Sequence, residues 1–186
     1  MAVIYQTILM DPPWNERGGG KSKRGADRHY ALTKTRDMPS LIKGMPEWSP
    51  DPARCSVWCW ATIGHLPDAI WLLGELGAPY VTHWIWNKPS VGIGQRLRGK
   101  HELLLLGTIG RVPVPAPTFR YASVFDAQRP KIPGTNKSRH SAKPVFAYGI
   151  IEHHDGRTNR MELFARSGRD GWSSSGDQLK KEEASS

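Results

Sequence analysis

Apolar stretches of strand length alternate along this chain with stretches of helical spacing. Ile4 to Met10 reads as a first strand. Residues 15 to 29 then carry almost no apolar side chain, which predicts a mobile loop. Asp37 to Lys43 fits a short helix. Cys55 to Thr62 is rich in aromatic and β-branched residues and reads as a buried strand. Ile70, Leu73 and Leu76 recur at helical spacing within Leu66 to Leu76, and Gly77 follows as a stop signal. Tyr80 to Trp86 is another strand. Glu102 to Ile109 holds four consecutive leucines, as expected of a strand covered on both faces. A proline-rich connector follows. Pro144 to His153 reads as a helix with its proline in the first turn, and Met161 to Ala165 as a late strand.

Strand, helix, strand, helix is the pattern of an α/β domain with a mostly parallel sheet. Ligands of such sheets gather beyond the carboxyl ends of the strands. Asp11, Lys88 and Arg166 all lie at or just beyond a proposed strand end. No internal repeat or second domain is visible. The expectation is one domain over residues 1–179, with a disordered polar tail over 180–186.

Composition sharpens the picture in two ways. The 186 residues carry a net charge of +9, which fits a polyanionic partner, most simply nucleic acid. No apolar run reaches membrane-spanning length and no charged-then-apolar leader opens the chain, so no membrane partner and a cytoplasmic location are expected. The two cysteines, Cys55 and Cys59, sit four residues apart. On one strand their Cα atoms lie about 13 Å apart, too far for a disulfide. They read as buried free thiols, and no zinc pattern accompanies them.

Three local signals carry little. Gly18-Gly19-Gly20-Lys21-Ser22 resembles the end of a phosphate loop, but Asn15 stands where the first glycine belongs. Gly92-Ile93-Gly94 begins like a dinucleotide fingerprint, yet position 97 is Leu97 and no helix follows. His153-His154-Asp155 would point in different directions from a helix, so they do not converge on one ion. Trp58, Trp60, Trp84 and Trp86 alternate along proposed strands and read as packing. Trp14 differs, because it follows two prolines at a strand end, where a core role is less expected.

That position belongs to the most informative segment, Asp11-Pro12-Pro13-Trp14. An acid accepts N–H hydrogen bonds. The prolines fix the backbone and aim their carbonyls. The indole offers a face to a planar base. Three further segments follow in order: Trp86-Asn87-Lys88-Pro89 running on to His101-Glu102-Leu103-Leu104-Leu105-Leu106-Gly107, then His140-Ser141-Ala142-Lys143-Pro144, then Glu162-Leu163-Phe164-Ala165-Arg166 with Trp172 and Gly176-Asp177-Gln178-Leu179. In this order they resemble the MT-A-seventy family of S-adenosylmethionine-dependent N6-adenine methyltransferases, especially its short prokaryotic and phage members. The resemblance runs from about Ile8 to Leu179.

The resemblance implies a Rossmann-like methyltransferase fold with a seven-stranded sheet and a permuted motif order, the catalytic motif first and the cofactor strand last. It implies methyl transfer from S-adenosyl-L-methionine, leaving S-adenosyl-L-homocysteine, to the N6 amine of adenine, with no metal. Asp11 and the Pro12 carbonyl would accept the two amine N–H groups, beside Pro13, and Trp14 would stack on or wall the base. Lys143 would lie near the methionine end of the cofactor, which Asp11 also reaches. Arg166, Asp177 and Gln178 would hold the ribose. Family members commonly carry Asn where this chain has Asp177; an ionised Asp only accepts hydrogen bonds, whereas Asn can also donate. His101 and Glu102 receive no chemistry at this stage.

A base within a duplex cannot enter such a site, so it must be flipped or single-stranded. Arg17, Lys21, Lys23, Arg24, Lys88, Arg96, Arg98, Lys100, Lys137 and Arg139 are the expected phosphate contacts. DNA is favoured as the polymer, with RNA as the alternative. A catalytically inactive nucleic-acid-binding subunit is a further alternative. Target specificity is expected to be modest, or to come from loops, a homodimer or a partner subunit.

Overall fold

A computed structural model describes residues 3–14, 34–92, 96–131, 142–156, 158–177 and 179. Seven strands form one sheet: β1 (Thr7–Met10), β2 (Arg54–Thr62), β3 (Tyr80–Asn87), β4 (His101–Gly110), β5 (Val124–Asp126), β6 (Arg160–Leu163) and β7 (Ser173–Ser175). Their spatial order is β5-β3-β4-β2-β1-β6-β7. Every described pairing is parallel except those of β4, which runs antiparallel to β2 and β3. The helices are α1 (Met38–Lys43), α2 (Leu66–Glu75) and α3 (Phe146–Asp155). This is the α/β, Rossmann-like architecture read from the sequence.

The apolar run in β2 resolves into two faces, because successive strand residues point to opposite sides. Cys55, Val57, Cys59 and Ala61 pack with Met38 and Ile42 of α1 and Leu72 and Leu73 of α2. Trp58 and Trp60 point the other way, with Trp84, Trp86, Leu104 and Ile150 of α3. Trp58 stacks on Trp84 with centroids 4.8 Å apart, and Trp60 meets Trp86 edge-on at 6.2 Å. Small residues thus face α1 and α2, and indoles fill the α3 side. Both cysteines are free and buried, and burial pushes the Cys55 thiol up to about 12.

One local expectation changes. The buried face of α2 is Ala69, Leu72 and Leu73, while Ile70 is partly exposed. Leu73 and Leu76 of the face chosen by spacing are buried, and Ile70 alone of the three turns outward. Gly77 takes φ +78°, the left-handed turn that ends this helix. The Tyr80–Asn87, His101–Gly110 and Phe146–Asp155 elements each fall within two residues of their expected bounds. The 15–29 loop and the 180–186 tail both lie wholly outside the described residues.

β1 sits between β2 on one side and β6 on the other. The chain leaves it in one direction and returns on the other. Such a switch point opens a crevice at the carboxyl edge of the sheet. The antiparallel β4 begins at that same edge, where His101 pairs with Asn87 and Glu102 with Thr62.

Candidate active site

Asp11 follows the last residue of β1 and shares the strand parity of Leu9, so it leans toward the α3 side. Leu9, Asp11, Trp60, Lys143, Tyr148, Glu162, Phe164 and Arg166 line one cavity there, at the switch point. Three of the expected site residues are therefore brought together from three distant segments.

Their contacts form an alternating chain of charge. Lys143 Nζ lies 3.0 Å from Asp11 Oδ1 and 3.1 Å from Glu102 Oε2. Lys88 Nζ donates to Glu102 Oε1 at 3.2 Å. The Lys143 ammonium also stands 5.5 Å from the centre of the Trp60 ring. Side-chain exposure is 15% for Lys143 and 13% for Glu102. Burial opposes the charge on Lys143, but Asp11 and Glu102 outweigh it and hold its pKa above the usual value. Burial likewise opposes the Glu102 carboxylate, and Lys143 and Lys88 outweigh it and hold its pKa low. Glu102 Oε2 is an ion-pair contact without hydrogen-bond alignment.

Glu102 is the central member of this network, and sequence reasoning gave it no role. Its only local signal was an acid at the head of an apolar strand. Lys88 also changes place. It is half-buried at the foot of the β3–β4 connection and paired with Glu102, so it is corrected from a phosphate contact to an internal cation.

Trp14 is a further correction. It is 5% exposed and packs in the α1–α2 core. Its indole N–H donates to the Trp60 carbonyl at 2.8 Å, and its ring stacks on His65 at 5.2 Å. Two neighbouring segments already cover it, so it braces the wall behind the acid and has no free face for a base. The cause is close by: the Trp14 N–H bonds back to the Pro12 carbonyl at 2.8 Å, a tight turn that folds the indole inward. That carbonyl keeps its second lone pair.

At the exit of β6, Tyr148 donates to Glu162 at 2.8 Å, and Arg169 lies 3.7 Å over the Tyr148 ring. Burial raises the Glu162 pKa, only partly offset by the Tyr148 hydroxyl and Arg169. Glu162 lines the cavity and was quoted in the sequence only as part of a motif. Phe164 takes φ 62°, a left-handed conformation uncommon outside glycine and often held at functional sites. Gly176 approaches so closely that a Cβ there would lie 2.2 Å from the Ala165 carbonyl oxygen. Asp177 is exposed just beyond β7 and outside the cavity lining.

Arg96, Arg98 and Lys100 are exposed on the β3–β4 connection at this edge. Arg17, Lys21, Lys23, Arg24, Lys137, Arg139 and Gln178 lie outside the described residues. Among the described residues no cluster of three metal-ligating side chains occurs, and no helix is long and apolar enough to cross a membrane. A roomier cavity of about 270 Å³ opens at the opposite edge, under the proline-rich connector. Size favours that one. The strand carboxyl ends and the ion-paired acid favour the switch point, and chemistry outranks volume here.

Over 97% of its length the chain is 27% identical to the N6-methyladenosine RNA methyltransferase MTA1 of Cryphonectria parasitica, of which it covers 53%. It thus spans about half the length of that relative. Over 94% of its length it is 25% identical to the type II methyltransferase M.MunI of a Mycoplasma species, covering 78% of it. The family model MT-A70 matches residues 5–178. That match starts before β1 and ends beyond β7, and the chain accordingly belongs to the MT-A70 family of methyltransferases.

Proposed function

We propose that this protein transfers a methyl group from S-adenosyl-L-methionine to the N6 amine of adenine in nucleic acid, with DNA as the favoured polymer. The observation that carries the reading is Asp11, held by Lys143 at the carboxyl end of β1 and beside a cavity shared with Glu162 and Arg166.

The donor set suits the cofactor. Asp11 and Glu162 are complementary to its cationic groups and Lys143 and Arg166 to its carboxylate and hydroxyls. When bound, the cofactor supplies an activated methyl group on a positively charged sulfur. The residues of the chain do the rest. Adenine's exocyclic nitrogen is a poor nucleophile, because its lone pair is delocalised into the ring. Asp11 accepts one of its N–H groups and the remaining lone pair of the Pro12 carbonyl accepts the other. Two fixed acceptors pull the nitrogen toward a tetrahedral shape and stabilise the positive charge that develops there. Holding amine and methyl in line adds the proximity effect. The methylated nitrogen then carries one proton too many, and in this reading Asp11 accepts it. Lys143, 3.0 Å away, holds Asp11 in position before that moment. Its third N–H, unused among the described side chains, remains for the cofactor carboxylate.

RNA is the second reading, favoured by the name of the fungal relative. A silent binding subunit fits less well, because the acid, its lysine and their cavity are all intact. The test is transfer of labelled methyl from S-adenosylmethionine to single-stranded DNA, duplex DNA and RNA, with Asp11→Ala as control. Incorporation into one polymer that disappears in the control supports the reading. Undiminished incorporation in Asp11→Ala refutes it.

A further inference from the structure

Leu97 is 88% exposed, the most exposed large apolar side chain among the described residues. It lies between Arg96 and Arg98, with Lys100 close behind, and all four are exposed. Folding gains nothing from a leucine left in water.

The segment that carries it is built. Beyond the end of the sheet the hairpin continues, with the Lys88 N–H donating to the Lys100 carbonyl at 2.7 Å and the Gly92 N–H to the Gly99 carbonyl at 2.7 Å. Arg98 Nε donates to the Gly92 carbonyl at 3.2 Å. Gly99 packs on Ile63, whose Cδ1 would stand 3.2 Å from a Cβ at that position. The foot of this arm is the ion network itself, through Lys88, Glu102, Lys143 and Asp11. Leu97 lies three residue steps from Lys100, a reach of about 10 Å and comparable to the width of a nucleic-acid groove.

We infer that Leu97 is a wedge that enters the base stack of a duplex and fills the gap left when the target adenine turns out toward Asp11. Arg96 and Arg98 hold the flanking phosphates on either side. The inference rests on the adenine-methylation reading above and deepens it, because it makes a duplex the working form of the polymer. Extruding a base leaves an apolar void between neighbouring base pairs. An inserted aliphatic side chain restores contact there and offsets the unstacking. Cations beside the wedge fix its register without reading sequence.

Two measurements on the full chain test it. The first is fluorescence anisotropy without cofactor, on a short labelled DNA duplex with one abasic site and on the same duplex intact. The wild type should prefer the abasic duplex by about tenfold, because the void admits the wedge without unstacking. Leu97→Ala should lose most of that preference and Leu97→Phe should keep it. An equal preference in wild type and Leu97→Ala overturns the wedge. The second is methyl transfer. Leu97→Ala should slow transfer to duplex DNA by about tenfold and leave single-stranded transfer within about twofold. An equal loss on both polymers overturns the wedge. A change in sedimentation from dimer to monomer with duplex binding intact also overturns it, by making Leu97 a protein contact. If the wild type methylates no polymer, the proposed function fails, and the abasic comparison still decides the wedge.

Discussion

Asp155 and Glu102 are both buried carboxylates, at opposite edges of one sheet. At the amino edge, the Asp155 side chain is 2% exposed. It accepts from the Thr7 hydroxyl at 2.8 Å, the Ser56 hydroxyl at 2.9 Å and the Trp58 indole at 3.0 Å, and pairs with His154 Nδ1 at 2.8 Å. It ties β1 and β2 to the end of α3. At the carboxyl edge, Glu102 has only lysines as partners among the described residues, and one of them is shared with Asp11. Hydroxyl and indole donors from neighbouring strands saturate a carboxylate and lock structure. Shared, imperfectly aligned charges leave bonding capacity for something else. The first acid is a staple and the second is part of the candidate site.

The largest effect expected from breaking this contrast is at Asp11. Asp11→Ala should lower methyl transfer by about 10³-fold, the scale of losing one preorganised polar group. Its unfolding midpoint in urea should stay near that of the wild type, because Lys143 keeps Glu102.

Asp155→Ala should do the reverse. It strands several buried donors and should cost about 3 kcal/mol of stability in urea titration. Methyl transfer per folded molecule should be unchanged. A loss of turnover without a loss of stability would erase the distinction between the two edges.

Glu102→Gln keeps shape and removes charge. It should cost about 2 kcal/mol at neutral pH and reduce turnover more than polymer binding. The pH dependence sharpens the point. Glu102 has a depressed folded pKa, so its stabilisation is present above the ordinary 4.5 and fades as pH falls through the lower folded value. Lys143 has a raised folded pKa, so its stabilisation is full below 10.5 and fades as pH rises through the higher folded value. The stability difference between wild type and Glu102→Gln should therefore be flat from about pH 5 to 10 and shrink on the acid side below it. A difference that grows on acidification would contradict the ion network.

The smallest effect is expected at Asp177, which is exposed and outside the cavity lining. Asp177→Asn should leave cofactor affinity within about threefold by calorimetry, since either side chain accepts from a hydroxyl. A large loss would give the carboxylate a role that asparagine cannot fill.

Legibility in the sequence followed burial. β2 and β4 were readable because both faces are covered and their apolar runs are continuous. β7 is Ser173–Ser175, with no apolar residue, and exists because Met161, Glu162 and Leu163 offer it a free edge. β5 has three residues beyond a proline-rich connector and was equally silent. Asp11 and Lys143 stood out in the sequence as candidates by residue type and motif order, and the structure pairs them. Trp14 was misread because its inward turn depends on a backbone bond to Pro12, and its pocket on His65 and Trp60. Lys88 was misread because its partner is fourteen residues away on the neighbouring strand.

The sequence by itself determined the α/β class and the family, together with the presence of an acid just beyond the first strand. Periodicity, strand ends and motif order are properties of neighbouring residues. Only the tertiary structure decided that β4 runs antiparallel between β2 and β3, which brings its first residues to the edge where the parallel strands end. That insertion sets Glu102 between Lys88 and Lys143 and so connects the β3–β4 arm to Asp11. Strand neighbours far apart in the chain are chosen by packing and twist of the whole sheet, and no local pattern encodes the choice.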